Sequence, residues 1–451
     1  MFRTLVPYCC GSLLPLSPLL AQEPQQPPDP RRLALERAVQ ELGSTPGTTP
    51  VTAAPPAVGP GLLHLIDVSL DIVAAAGSST AAESALGTLQ GGGHDPKKRG
   101  FTLEQAELSL GGAVDPFFTA ESHIVFFLDP EAGESNVELE EAFVTSQALP
   151  YGLQAKAGMF LTEFGRLNPV HPHAWDWQDQ PVILTRVFGG DGMRAPGARV
   201  SWLAPTPNYT EVSASVQNAN GEQMASFLAN DEVYGERPIG GRAFAPGAVR
   251  SFGDLVYSGR VVAGWDFDDA SSAAVGASVA VGPNPTGDGA DTRIYGADFV
   301  YKWRAPSNDR GWPFFRLQGE FVARDFEAGD QVDDGDPLAP VAVPGATLHD
   351  YGGYLQALWG FAVGWDVGLR GDWATGAGAS YDRATQSFTR SGDPYRSDRF
   401  RISPMLEYRA SEFSRFRLQY NYDDGDDLQD PVHSIWLGCE LLIGKHPPHK
   451  Y

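Results

Sequence analysis

Cysteine is nearly absent. Of the three in the chain, Cys9 and Cys10 sit in a segment that reads as an export signal, which leaves Cys439 alone. An intrachain disulfide framework is therefore excluded. Basic charge is scarce as well: 33 Lys and Arg stand against 56 Asp and Glu, a formal net charge of -23. That excludes non-specific nucleic-acid binding, which needs a basic face. Beyond the signal, no stretch approaches the roughly 18 consecutive apolar residues of a membrane helix, so helical spans are excluded too. No G-x-S-x-G nucleophile elbow occurs, and Ser122 and His123 alternate onto opposite faces, so enzyme chemistry is not expected. No cofactor is assigned.

What is present begins with "MFRTLVPYCCGSLLPLSPLLAQ", residues 1–22. Arg3 supplies a positive n-region and Leu5 to Leu20 a mostly apolar h-region, the layout of a signal peptide. Residues 23–60, rich in Pro, Ala, Thr and Gln, read as a flexible periplasmic leader. Inside it, Leu35, Ala38, Val39 and Leu42 fall at helical spacing over Arg31 to Leu42. Such a helix is short for independent stability.

From residue 61 to 451 the apolar period is two. In "FFRLQGEFVAR", Arg316, Gln318, Glu320 and Arg324 oppose Phe315, Leu317, Phe321 and Ala323. In "SRFRLQYNY", Arg415, Arg417, Gln419 and Asn421 oppose Phe416, Leu418, Tyr420 and Tyr422. These segments are longer than the roughly 5 to 6 residues usual for soluble strands and match the roughly 9 to 11 of a tilted membrane strand. A sandwich core would not hold unpaired mid-strand arginines, whereas a wet lumen would. About sixteen such strands are expected. Their connections alternate between short turns such as "AVDP", "LPYG" and "PTPN" and long loops such as Thr162 to Arg194. The pattern predicts an all-β, transmembrane, antiparallel up-and-down barrel with short periplasmic turns and long extracellular loops. Phe117, Phe118, Tyr151, Tyr209, Trp265, Trp303, Trp312, Trp359, Trp365 and Phe413 cluster near the short turns, where an interfacial girdle belongs. Tyr451 ends the chain on an aromatic, a feature that the barrel-assembly machinery reads, here displaced from the last strand by "GKHPPHKY" and so weakened.

The segments "ELEEAFVTSQALPYGLQAKAGMFLTEFGRLNPVHPHAWDWQDQP", "FGGDGMRAPGARVSWLAP" and "SVQNANGE" resemble a family of outer-membrane barrels related to the phosphate-selective porins. Some of its members carry the label zinc-regulated, TonB-dependent receptor. The resemblance is dense from Glu138 to Glu222. It implies a porin-like channel in the outer membrane of a Gram-negative-type bacterium, in contact with lipid and lipopolysaccharide, and porins are commonly homotrimers. A TonB-dependent receptor needs about twenty-two strands and a plug, which about sixteen strands and a leader of about forty residues would not supply.

Sixteen strands enclose water rather than a filled core. The expected pore-lining residues are Arg316, Arg370, Arg399, Arg401, Arg409, Arg415 and Arg417 on one wall, with Glu121, Glu138 and Glu140 on the other. An open arginine wall would favour anions; pairing between neighbouring strands would neutralise it. The segment Asn168 to Gly192 falls in the third long loop, which in general porins folds inward as a constriction. Arg166, Trp175, Asp176, Trp177, Asp179 and Arg186 suit that role. A metal site at His171, His173, Asp176 and Asp179 is the competing reading, since zinc accepts imidazole and carboxylate. It accompanies an alternative function, uptake of a specific solute or of zinc. A structural or adhesive barrel without transport is the third.

Overall fold

The computed structural model describes residues 66–129, 133–389 and 393–444. The expected export signal, the expected leader with its Arg31 to Leu42 segment, and Tyr451 lie outside the described residues. The chain divides into two units, Met1–Ala57 and Val58–Tyr451, and the second carries every described residue.

The strands, in chain order, are β1 (Asp67–Ser79), β2 (Gly100–Ala113), β3 (Phe118–Leu128), β4 (Ser135–Ser146), β5 (Leu153–Leu161), β6 (Arg194–Leu203), β7 (Tyr209–Asn218), β8 (Leu255–Asp268), β9 (Ser271–Pro283), β10 (Asp291–Asp309), β11 (Trp312–Ala328), β12 (Gln331–Asp333), β13 (Val341–Val343), β14 (Ala346–Ala362), β15 (Trp365–Ala377), β16 (Ser380–Asp382), β17 (Ser387–Thr389), β18 (Arg399–Ser411), β19 (Ser414–Gly425) and β20 (Val432–Gly444). Sixteen of them close one antiparallel barrel, each beside its chain neighbour, and β1 pairs with β20 to seal it. The pairs β12–β13 and β16–β17 are small hairpins within long connections. The sixteen strands expected from the alternation are the sixteen of the barrel. Closure leaves the barrel sheet without an edge, which is what lets strands cross a membrane.

The pleat sorts each strand into two faces. On β19, Leu418 is 45% exposed on the outside, whereas Arg417 at 2% and Gln419 at 0% are buried inside. Leu355, Leu369, Leu418 and Leu437 belong to an apolar outer belt. At the short-turn end, Trp303 stacks on Trp359 with ring centroids 6.1 Å apart, and Trp365 lies on Tyr408 at 4.6 Å. Trp312 departs from the predicted girdle: its indole Nε1 donates to Asp366 Oδ1 at 2.7 Å, on the inner face.

The interior also departs from expectation. In place of a lumen holding only water, in-folded loops pack within it. Phe164, Leu167, Trp175, Ile183, Val187 and Phe188 form a dry cluster with Met224 and Phe227 of the following long loop. The wall side of that cluster is Val256, Ala280, Ile294, Val322, Tyr354 and Ala374. The first long loop packs inward as well, placing Leu86 and Leu89 against Val432 and Trp436.

Candidate functional site

The loop between β5 and β6 begins at Thr162 and returns at Met193. Asn168 closes its neck: the amide Nδ2 donates to the carbonyls of Thr162 and Met193 at 2.8 and 3.1 Å, and Oδ1 accepts from Met193 N–H at 2.7 Å. Glu320 on β11 holds the ascending limb, accepting from Leu167 N–H at 2.8 Å and from the Tyr354 hydroxyl at 2.7 Å. Gly165 is required there. Its φ is +60°, and a Cβ would stand 2.0 Å from Glu320 Oε2.

Beyond the neck the loop crosses to the far wall. Asp179 is its deepest anchor. Its carboxylate accepts from Arg370 Nη2 (2.7 Å), Arg401 Nη1 (2.9 Å), Gln419 Nε2 (2.8 Å) and Asn421 Nδ2 (2.6 Å). Burial opposes ionisation of Asp179, but the Arg370 and Arg401 guanidinium groups outweigh it and hold the pKa below its ordinary value. Trp177 donates its indole N–H to the Ser403 carbonyl at 2.9 Å. Arg417 grips the backbone, donating to the carbonyls of Trp175 (3.0 Å), Asp176 (3.2 Å) and Trp177 (3.2 Å). Asp176 pairs with Arg316 and accepts from Gln356 Nε2 at 3.0 Å. The helix Val182–Phe188 is buried on every side. From it Arg186 donates to the Ser397 carbonyl at 2.7 Å, and burial pulls its pKa down to about 10. Arg166 stays half-buried near the neck.

The arginines expected on the pore wall are engaged in ion pairs. Arg370 pairs with Asp372 and Asp179, Arg401 with Asp423 and Asp179, Arg399 with Asp423, Arg409 with Glu407, and Arg415 with Glu440. Opposite, Glu138 and Glu140 pair with Arg194, and Glu121 stays exposed.

Against that acidic wall the loop lays its histidines. His171 Nδ1 lies 2.8 Å from Glu140 Oε2 and its Nε2 lies 2.8 Å from Glu141 Oε2. His173 Nδ1 lies 2.9 Å from Glu107 Oε2. His123 of β3 faces His171 with ring centroids 4.4 Å apart, and its Nδ1 lies 2.8 Å from Glu107 Oε1. Burial disfavours protonation of His171, but Glu140 and Glu107 dominate and raise its pKa well above the ordinary value. Asp176 and Asp179, grouped with these histidines from the sequence, are not brought to them. Both are taken by arginines of the other wall. Glu107, Glu141 and His123 take their place. Glu141 was hidden by a bulge: His123 pairs with Glu141 and Ile124 with Leu139, so Glu140 is the extra residue and both glutamates turn inward. Strict alternation would have put Glu141 outside.

Ser109 Oγ also meets His123 Nδ1 at 2.9 Å. A Ser–His–acid relay needs the serine and the acid on different ring nitrogens. Here Ser109 and Glu107 share Nδ1, so the three form a hydrogen-bond cluster rather than a relay. The cavity under the loop, with Glu140, Asn168, Trp175 and Gly192 in its lining, has a volume of about 10 Å³, about the size of a single water site.

No protein-family model matches the chain. An uncharacterized protein of Aquifex aeolicus (strain VF5) is 28% identical over 380 residues, covering 80% of this chain and 73% of that one. Among solved structures, OprB of Pseudomonas putida aligns with a TM-score of 0.51 at 12% identity, over 84% of this chain and 94% of that chain. The outer membrane channel DcaP of Acinetobacter baumannii aligns with a TM-score of 0.51 at 11% identity, over 84% and 97%. An anion-selective porin from Comamonas acidovorans aligns with a TM-score of 0.50 at 10% identity, over 84% and 99%. At these identities the shared property is the fold, a closed outer-membrane β-barrel.

Proposed function

We propose that this chain is a porin-like outer-membrane channel for passive diffusion of small hydrophilic solutes or ions. The observation that carries the reading is the loop Thr162–Met193, folded into the barrel and fixed to opposite walls by Asp179 and His171. Side chains inside a barrel of this size set what passes.

We read an anion preference from the mouth nearer the short turns. Register puts Lys302 of β10 directly opposite Arg316 of β11, with Arg304 one inward position further along. Like charges set directly opposite are unfavourable without a counter-charge. Asp176 supplies one to Arg316, and the row concentrates positive charge where an anion would pass. The apolar belt contacts lipid, with lipopolysaccharide at the long-loop end. The barrel-assembly machinery inserts the chain, and a homotrimer is the expected state.

Single-channel recording in a planar bilayer across a KCl gradient tests both levels. Discrete steps reversing on the chloride side are expected. Reversal on the potassium side would remove the anion preference and keep the channel. Silence from a folded, heat-modifiable barrel would remove the channel.

A further inference from the structure

We propose that Glu107, His123 and His171 form a binding site for a divalent transition-metal ion of the zinc class. One ligand atom from each lies within 4.8 Å of the other two. Two imidazoles and one carboxylate are a set that zinc accepts, leaving a fourth position open. Copper and nickel bind similar ligands, so the shared chemistry is that of a borderline divalent cation.

The site is built rather than accidental. Glu107 and His123 are delivered by the barrel wall, on the adjoining strands β2 and β3, where Ser109 is the register partner of His123. His171 arrives from the in-folded loop. Glu107 is sealed at 0% side-chain exposure, whereas His123 at 12% and His171 at 13% remain reachable.

The surroundings ask for a cation. Register sets Asp71 of β1 directly opposite Glu107, and two carboxylates so placed repel unless something positive lies between or beside them. Asp71 is 5% exposed and its Oδ1 has no hydrogen-bond partner. His173 partly answers this pair from the Glu107 side. A supporting shell is also present. His171 has a carboxylate on each ring nitrogen, Glu140 at Nδ1 and Glu141 at Nε2. Whichever nitrogen takes the metal, the other N–H keeps its carboxylate, an arrangement that orients the imidazole and strengthens it as a ligand. Binding then ties the loop to β2 and β3.

The test is calorimetric titration of ZnCl₂ into the full-length, detergent-folded protein, paired with Co²⁺ absorption to report imidazole coordination. One saturable site with a Kd at or below about 1 µM is expected. His171→Ala and Glu107→Gln should each weaken it at least about tenfold, while His349→Ala, at an exposed position in β14, should leave it unchanged. Absence of saturable binding would overturn the site. So would binding equal in wild type and in the folded Glu107→Gln variant, because the ion would then sit on the acidic outer loops. Glu107→Gln keeps shape and decides the matter if His171→Ala fails to form a heat-modifiable barrel. The readout is metal binding, so the outcome does not depend on whether the barrel conducts.

Discussion

Asp179 accepts a hydrogen bond at 2.7 Å from Arg370, 191 positions further along the chain. With Arg401, Gln419 and Asn421 on the same carboxylate, one loop side chain is fastened to three strands, β15, β18 and β19. Barrel closure and loop docking are therefore separable: the first rests on backbone ladders, the second on buried charges and the apolar cluster around Phe164, Ile183 and Phe188.

Asp179→Asn should separate them. It keeps the shape, removes the charge, and turns an amide toward two guanidinium groups. Breaking one partner of a buried pair costs about 3 to 5 kcal/mol, here charged to docking rather than to the barrel. The variant should remain heat-modifiable in gels, become cleavable by protease within residues 162–193, and conduct more than the wild type.

The same carboxylate predicts a pH dependence. Its folded pKa lies below the ordinary value, so its contribution is complete above the unfolded pKa of about 3.9 and disappears as pH falls through the lower folded value. Conductance should hold steady from pH 7 down to about 4.5 and rise only below about 3.9. Asp179→Asn should lack that acid step. A wild-type step centred near pH 6 would point to a different group.

A pair of neighbours on β19 tests the facing of the wall. Leu418→Arg places charge on the lipid side, at about 2 to 4 kcal/mol near the midplane, and should impair insertion. Arg417→Leu faces inward, so its barrel should assemble. It loses the carbonyls of Trp175, Asp176 and Trp177 as partners, so its loop should loosen and its reversal potential move toward potassium. Normal assembly of Leu418→Arg would mean that the strand is inside out.

These contrasts also mark how far the sequence carries. Strand number and facing were legible because a two-residue period and the turn residues are local signals. That Asn168 to Gly192 folds inward agreed with its tryptophans and glycines. The partners of the loop were not legible. Nothing near Asp179 names Arg370 or Arg401, because their meeting depends on register summed across many strands. Grouping Asp176 and Asp179 with His171 followed proximity in the chain, while the barrel sorts them to opposite walls. Glu141 was concealed by one extra residue at Glu140, which a strict period cannot represent. The inward turn of Trp312 toward Asp366 was hidden for a related reason, since its place beside a short turn suggested the girdle.

Two glycines of β15 provide the sharpest control on loop packing. A Cβ on Gly368 would stand 2.9 Å from Trp177 Cζ2 and 3.2 Å from Leu358 Cδ1, inside the barrel. A Cβ on Gly371 would meet nothing within 4 Å. Both lie on the same rigid strand, so strand propensity changes equally in the two alanine variants. Gly368→Ala must displace the Trp177 ring, whose N–H is committed to the Ser403 carbonyl. Overpacking of this kind costs about 1 to 3 kcal/mol, and the ring can yield only by moving the loop. Gly368→Ala should therefore raise conductance and protease sensitivity of the loop, while Gly371→Ala behaves as wild type. Equal behaviour of the two would show that Trp177 does not bear on Gly368.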